Sequence, residues 1–447
     1  MALTLTVLLG LYLGLVEVVR ENTLRLETEC ITDIGMNSVL AEYHRELLRQ
    51  YGLLYIDSSY GTDCPSFYNT EAHLREYIQK NMEFGNDDAG VYLDLLEMEP
   101  EVVEIQSVML ATDNGGCNLR KQAVKVQEYR GGVAMLDELN AWITVIEEKD
   151  LLDDQMEEEL ERVEAQLNVL KERKPLQESL WFATPVEKEA EDVFTDRKKG
   201  IGVWISDLLT EISSKQVDPE EYVSARKEAG KMNQGNIEYE HDMTMYERIA
   251  FQEYLLEHVG NYRKCKEGTL LDYQIEYLLF GEAIDGNNLI KTTAAICGIR
   301  EAANMIYVFG DAEKRTVAKS VASGISTMLF APETEPILEN AILIIWSCVE
   351  SVQDVMDLLN GESVPLIKGL TAEMPELQYE DYLRILLYFS DLQDITYRFM
   401  DIVEMDIRQT DGNECFRMDG CIEYLEAKVQ VQSSYGKTYT LYHAKGY

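Results

Sequence analysis

The strongest pattern of hydrophobic and polar positions lies at the start of the chain. An uncharged apolar run over residues 1–16 passes, without a proline, into a polar-amphipathic segment. Apolar residues recur there at mostly three- and four-residue steps up to Tyr51, and Gly52 follows as a helix C-cap. At about 1.5 Å per residue the run reaches about 24 Å, and Val18 and Val19 can extend it toward the roughly 30 Å of a bilayer core. The pattern predicts one long helix, with a transmembrane anchor over residues 1–20 and a stalk beyond it.

Two other interpretations of the apolar run stay open at the level of sequence. One is a cleaved signal peptide, although no small-x-small cleavage pattern follows the run. The other is a buried core helix of a cytosolic protein. No Lys or Arg precedes the run, so the usual orientation cue is missing, and we expect the natural start to lie upstream of Met1. A signal anchor is the interpretation that we adopt.

A small α+β unit is predicted after the stalk, so that stalk and unit together cover residues 21–132. Its strand signals are LLYID after Gly52, residues 91–98 and residues 102–110, and its helices cover about 71–82 and 118–129. Near the C-terminus four apolar residues alternate with polar ones, which is typical of a half-buried strand. They are Leu425, Ala427, Val429 and Val431. The turn SSYG and the strand KTYTLYH follow, so residues 409–447 should form a β-hairpin that completes the sheet.

The remainder of the chain has helical periodicity. Residues 133–244 should form an acidic helical arm and a flexible linker. The arm should be an antiparallel helical hairpin or a kinked helix that ends at Pro175, and the linker covers residues 213–243. Residues 245–408 should form a helical bundle, in which the uncharged stretch 341–349 is too short to span a bilayer. The predicted fold class is therefore α+β and predominantly α, with a small membrane-proximal sheet and a distal bundle.

Composition narrows the possible partners. The 447 residues include 40 basic and 81 acidic side chains, a formal net charge of -41. A field of that sign repels phosphate backbones, so we expect no nucleic-acid partner. The eight cysteines form no CxxC pair, and no histidines have zinc-site spacing. Cys415 and Cys421, which are close in sequence around a turn, are the best disulfide candidates.

Motifs that carry chemistry were sought and none is convincing. Gly281 and Gly286 have phosphate-loop spacing, but Asn287 and Asn288 replace the required Lys and Ser or Thr. Glu350 and Asp354 lie one helical turn apart beside Trp346 and Cys348, and they are the most unusual carboxylate pair. A structural role in helix hydrogen bonding is favoured over acid–base catalysis. We predict no catalytic, cofactor-binding or metal-binding residues, and no enzyme.

Several stretches together resemble a known group of proteins. They are ETECITDIGMNSVLAEYHRELLRQYGLLYID, ATDNGG, WSCVESVQDVMDLLNGESVPLIK and YEDYLRILL. They resemble a clostridial family of unknown function that is associated with tight-adherence (Flp-type) pilus systems and is similar to TadE/TadG-like minor pilins. The resemblance implies a single-pass anchor in the cell membrane, with the bulk of the chain extracytoplasmic. One departure is that neither Gly10 nor Gly14 is followed by Glu at the spacing of a prepilin cleavage site.

The sequence thus leads us to expect a membrane-anchored, surface-exposed, pilus-associated structural protein. A surface adhesin or ligand-binding protein is the alternative, and a cytosolic acidic scaffold is a weaker one. Gly10 and Gly14 lie four residues apart on one helix face, a spacing that lets two transmembrane helices approach closely. This face could bind pilins or tight-adherence assembly proteins, or the glycines could reflect only the frequency of glycine in membrane helices.

Overall fold

The computed structural model describes residues 2–82, 98–130, 136–149, 151, 162, 165, 212–226, 243–328, 331–369 and 376–447. Within these ranges the chain is predominantly helical with small antiparallel sheets, so the predicted α+β class is confirmed. The predicted strand at 91–98, except Met98, lies outside the described residues, as does the second half of the helical arm apart from isolated positions.

The secondary-structure elements are as follows. The helices of the described residues are α1 (Ala2–Leu40), α2 (Arg45–Tyr51), α3 (Phe67–Met82), α4 (Cys117–Arg130), α5 (Leu136–Glu148), α6 (Met245–His258), α7 (Gln274–Phe280), α8 (Asp285–Gly310), α9 (Ala312–Met328), α10 (Glu335–Asn360), α11 (Tyr379–Phe389) and α12 (Leu392–Arg408). The strands are β1 (Ile56–Asp57), β2 (Met98–Leu110), β3 (Val364–Pro365), β4 (Glu376–Leu377), β5 (Cys421–Ser433) and β6 (Thr438–Gly446).

The chain divides into two compact units. Unit 1 comprises Met1–Arg130, Asp218–Glu247 and Thr396–Tyr447, and unit 2 comprises Gly131–Val217 and Arg248–Ile395. The predicted boundary of the helical bundle at residue 408 differs from this division, because residues 396–408 of α12 belong to unit 1. Gly116 shows the reason: a Cβ built on it would lie 2.5 Å from Cγ2 of Thr396. Tyr397 also donates a hydrogen bond to the carbonyl of Thr112 at 3.1 Å.

The predicted long N-terminal helix is interrupted once. It runs unbroken to Leu40, and a new helix then starts at Arg45 and ends at Gly52, whose φ of 69° is the left-handed C-cap that was expected. The prediction of one helix to Tyr51 was wrong because His44 acts as an N-cap. Its ring nitrogen accepts a hydrogen bond from the N–H of Leu47 at 3.2 Å, which starts a second helix.

The sheet of unit 1 is built around β5. This strand pairs antiparallel with β2 along one edge and with β6 and β1 along the other, so the predicted C-terminal hairpin and its pairing with the earlier strands are confirmed. Strand β2 begins at Met98, earlier than predicted, and includes Pro100 next to a shift in register. The alternating apolar residues of β5 are buried, and α1 and α3 pack on the same face of the sheet.

Part of the predicted flexible linker is packed. Pro219–Glu221 form a short 3-10 helix, Tyr222 and Val223 are buried, and the N–H of Ser224 donates to Asp401 at 2.7 Å. The interpretation as a flexible linker was therefore wrong for residues 218–226, because buried side chains and a buried carboxylate hold them in unit 1. Residues 227–242 lie outside the described part of the chain.

Unit 2 has a helical core. Helices α8, α9 and α10 share a cluster of buried side chains that includes Val308, Ala322 and Leu343. Helix α10 contains the uncharged stretch 341–349, most of which is buried, as expected for a bundle-core helix. The short extended segment predicted at SVPLIKG is present as β3, which pairs with β4.

Candidate functional site

The first half of α1 is an exposed apolar surface. An 18-residue window has a mean hydropathy of 1.8, and none of it is buried in the structure. Leu3, Leu11 and Val19 are 79%, 63% and 62% exposed. The helix is long and apolar enough to cross a membrane, although a signal sequence can meet the same criteria of length and composition. A core helix of a soluble domain would be buried, so that interpretation does not fit.

The second half of the same helix is part of the core of unit 1. Leu24, Ile31, Met36 and Val39 are buried against α3 and the sheet. A Cβ on Gly35 would lie 3.0 Å from Cγ1 of Ile78, so glycine permits the close contact with α3. One continuous helix therefore joins an apolar, solvent-exposed end to a packed domain.

Polar contacts fix α1 to the edge strand β6. Tyr439 donates its hydroxyl to Glu29 at 3.2 Å, and Lys445 contacts Asp33 at 2.6 Å. The hydrogen bond from Lys445 lowers the pKa of Asp33 below its ordinary value. The hydroxyl of Tyr447 donates to the carbonyl of Leu40. These contacts follow β6 along the helix and hold the two elements side by side.

Gly10 and Gly14 both lie in the exposed half of α1. A Cβ built on either meets nothing within 4 Å, so that helix face is open in the structure. With about 3.6 residues per turn, Thr28 lies about five turns beyond Gly10 on the same side, and Thr32 bears the same relation to Gly14. Both threonines are buried within unit 1. A helix that docked on the glycine face would therefore approach on the side that carries the domain.

Glu350 and Asp354, the pair singled out by sequence, belong to an ion-pair network in unit 2. Asp354 is buried and accepts hydrogen bonds from Arg300, whose Nη2 lies at 2.7 Å. Its other oxygen is 2.7 Å from Nζ of Lys368. Lys368 also contacts Glu350 at 3.0 Å, and Lys314 pairs with Glu350 from the opposite side. Burial opposes ionisation of Glu350, but the hydrogen bonds from the two lysines lower its pKa.

This network holds a loop segment against the bundle. Nη1 of Arg300 donates to the carbonyls of Pro365 and Leu366 at 2.9 and 2.7 Å. Both carboxylates are occupied by cations, which suits a structural role better than proton transfer. Sequence reasoning missed Arg300, and its only signal was its place, next to Glu301, in the mostly apolar helix AAICGIREAANMIYVFG.

A second buried carboxyl group in unit 2 had no signal in the sequence. Glu276 accepts a hydrogen bond from the Tyr379 hydroxyl at 2.7 Å and from the N–H of Tyr262 at 3.0 Å, through the same oxygen. Its other oxygen has no hydrogen-bond partner among the residues that the structure describes. Burial raises the pKa of Glu276 to about 7. Among 81 acidic residues, nothing in the local pattern sets this one apart.

Unit 1 has a comparable buried cluster around Glu404. Arg226 contacts Glu404 at 2.7 Å and Asp419 at 3.2 Å, and Arg408 pairs with Glu404 at 2.8 Å. Burial raises the pKa of Glu404 to about 7, against the opposing effect of the two arginines. The cluster joins residues 218–226 to α12 and to the turn before β5, which is a structural role.

Other chemistry is sparse in the described residues. No group of three or more His, Cys, Asp or Glu side chains in these ranges could hold a metal ion. Cys415 is exposed and Cys421 is buried, and both thiols are free, so the candidate disulfide is not present.

Comparison with known proteins identifies a family. The model of a family of unknown function, DUF5702, matches residues 183–433, whereas no curated protein and no solved structure matches the chain. The match does not include α1, and the description names no activity, so the resemblance to minor pilins stays a prediction. Because the match covers more than half of the chain, the protein belongs to the DUF5702 family of unknown function.

Proposed function

We propose that this protein is a membrane-anchored, surface-exposed structural protein of a pilus-associated system. The observation that carries the proposal is the continuity of α1, from an exposed apolar half into the core of unit 1. The pilus association itself is supported by the sequence resemblance to tight-adherence minor pilins.

The free energy of transfer of its side chains favours insertion of the first half of α1 into a bilayer. Ten Leu and Val side chains between Leu3 and Val19 are more than half exposed. A Leu or Val near the helix centre contributes about 0.5 kcal/mol and one near the helix ends contributes less, so their transfer favours membrane insertion by at most about 5 kcal/mol. A helix without proline that leaves the bilayer and enters a packed core holds that core at a defined position relative to the membrane.

The buried ion pairs in the described residues support a structural role over a catalytic one. The buried carboxylates of Asp354 and Glu404 are matched by arginines, and they hold segments of their own unit. The net charge of -41 keeps such a domain soluble and separate from anionic lipid.

Cell fractionation tests the anchor. The full-length chain should remain in the membrane fraction after alkaline extraction, and protease added outside intact cells should cleave it. Leu9→Arg with Leu13→Arg should move it to the soluble fraction, since each arginine near the bilayer centre costs about 3 kcal/mol. The matched control is Leu9→Ile with Leu13→Ile. Recovery of the unsubstituted chain in the cytosol, protected from protease, would contradict the proposal.

A separate preparation tests the pilus association. Pili sheared from the cell surface should contain the protein, whereas pili from cells that express the two-arginine variant should not. If the protein stays with the membranes and is absent from intact sheared pili, the anchor stands and the pilus association is wrong.

A further inference from the structure

The tip of the C-terminal hairpin lies against the point where the apolar run of α1 ends. Nζ of Lys437 is 3.5 Å from a carboxylate oxygen of Glu17. The guanidinium carbon of Arg20 lies 4.3 Å from the ring centroid of Tyr435, a cation–π contact. Two independent contacts therefore tie the hairpin tip to the first polar turn of the helix.

The length of the apolar segment determines where this contact lies relative to the bilayer. From Ala2 to Val19 the helix rises about 27 Å, close to the roughly 30 Å thickness of a bilayer core. When the segment spans the bilayer, Glu17 and Arg20 lie at its boundary with the headgroups. The tip residues that contact them lie at the same level.

The side chains at the tip suit that environment. Tyr435 is 41% exposed, and tyrosine is enriched at the membrane–water interface because its ring is apolar and its hydroxyl is polar. Lys437 has a long aliphatic stem with a charged end, which lets the end reach the headgroups. We propose that residues 435–437 bind the phospholipid headgroup layer and seat unit 1 on the bilayer surface. This inference rests on the proposed membrane anchor.

The rest of β6 leads away from the membrane and supplies a matched control. Tyr439 contacts Glu29, which lies about 18 Å along α1 beyond Glu17. Tyr442, farther along the strand, is 69% exposed on the opposite face of the sheet. It is therefore more exposed than Tyr435, yet it should lie beyond the headgroup layer.

Tryptophan placed at three positions tests the proposal in the full-length chain. Tyr12→Trp, Tyr435→Trp and Tyr442→Trp are each made in a separate chain and reconstituted in phosphatidylcholine vesicles. The vesicles contain lipid with a quencher on either the headgroup or the deep acyl chain. Quenching is measured relative to the unsubstituted chain, which has four tryptophans of its own. All three positions are exposed, so the substitutions should not disturb folding.

The expected pattern separates the tip from the anchor. Trp at 12 should be quenched by the deep quencher, Trp at 442 by neither, and Trp at 435 at least about twofold more by the headgroup quencher than by the deep one. If Trp at 12 is quenched and Trp at 435 behaves like Trp at 442, the tip does not contact lipid, although the anchor stands. If Trp at 12 is not quenched, both the anchor and this inference are wrong.

Discussion

Arg300→Met is the sharpest test of what holds unit 2 together. The side chain of Arg300 is fully buried and donates to Asp354 and to the carbonyls of Pro365 and Leu366. Removal of one partner of a buried ion pair costs about 3–5 kcal/mol. Lys368 would still contact Asp354, which favours the lower end, whereas the two carbonyls lose a donor, which adds to the cost. We expect the free energy of unfolding of unit 2 to fall by about 4 kcal/mol.

The assay is urea unfolding, monitored by the hydrogen exchange of peptides from each unit. Exchange in α8 and α10 should become measurable at lower urea, while peptides of β5 in unit 1 should be unaffected. Arg315→Met is the matched control, because Arg315 is 59% exposed and its nearest approach to Glu339 is 3.8 Å. A pair of that kind contributes about 1 kcal/mol or less. If the two variants lost equal stability, the structural role assigned to the Arg300 network would be refuted.

Three further predictions concern the two units and the anchor. Burial raises the pKa of Glu276 from 4.5 to about 7. The protonated side chain therefore contributes its full stabilisation below pH 4.5, and this contribution is lost as the pH rises through 7. Relative to Glu276→Gln, the wild-type unfolding free energy should therefore fall by about 3 kcal/mol between those values, measured by urea titration. Deletion of residues 421–447 removes the central strand and should expose the amides of β2 to exchange while the helices of unit 2 stay protected. Replacement of Gly10 and Gly14 by Ile should preserve membrane insertion but weaken cross-linking to any partner helix.

Each of these has an outcome that contradicts it. A pH-independent difference between wild-type and Glu276→Gln would show that Glu276 has an ordinary pKa. Unchanged protection of β2 after the deletion would mean that β5 does not support the sheet. For the glycines, the control is Leu9→Ile with Leu13→Ile, which also lie four residues apart. If both double variants kept the same cross-links, the glycine spacing would be incidental.

The sequence was sufficient to predict an element where a single hydrophobic periodicity, or a single local geometry, determines its structure. The alternation of Leu425, Ala427, Val429 and Val431 predicted a strand with one buried face, and these residues pack on α1 and α3. The C-cap at Gly52 was also predicted, since a helix that stops at a glycine needs only local geometry. The break before it was missed, because the cap at His44 depends on a single side chain and produces no periodicity.

The ion pairs between distant segments could not be predicted from the sequence. Glu350 and Asp354 were noticed as a pair, but their partners Lys314, Lys368 and Arg300 come from three other segments of unit 2. In a chain with 81 acidic residues, only burial distinguishes those that need a hydrogen-bond or ion-pair partner, and burial is decided by packing. The same applies to residues 218–226: their polar composition predicted a linker, whereas in the structure Arg226 lies between Glu404 and Asp419.

The sequence by itself therefore determined the apolar segment able to span a membrane, the helical majority, the C-terminal hairpin and the acidic character of the chain. These depend on hydrophobic period, length and charge, which can be read locally. Only the tertiary structure decided that residues 396–408 of α12 belong to unit 1, that β5 is the central strand, and that the hairpin tip contacts α1 at Glu17 and Arg20. Such contacts join residues hundreds of positions apart, and they form because buried faces and charges must find partners once the chain is compact.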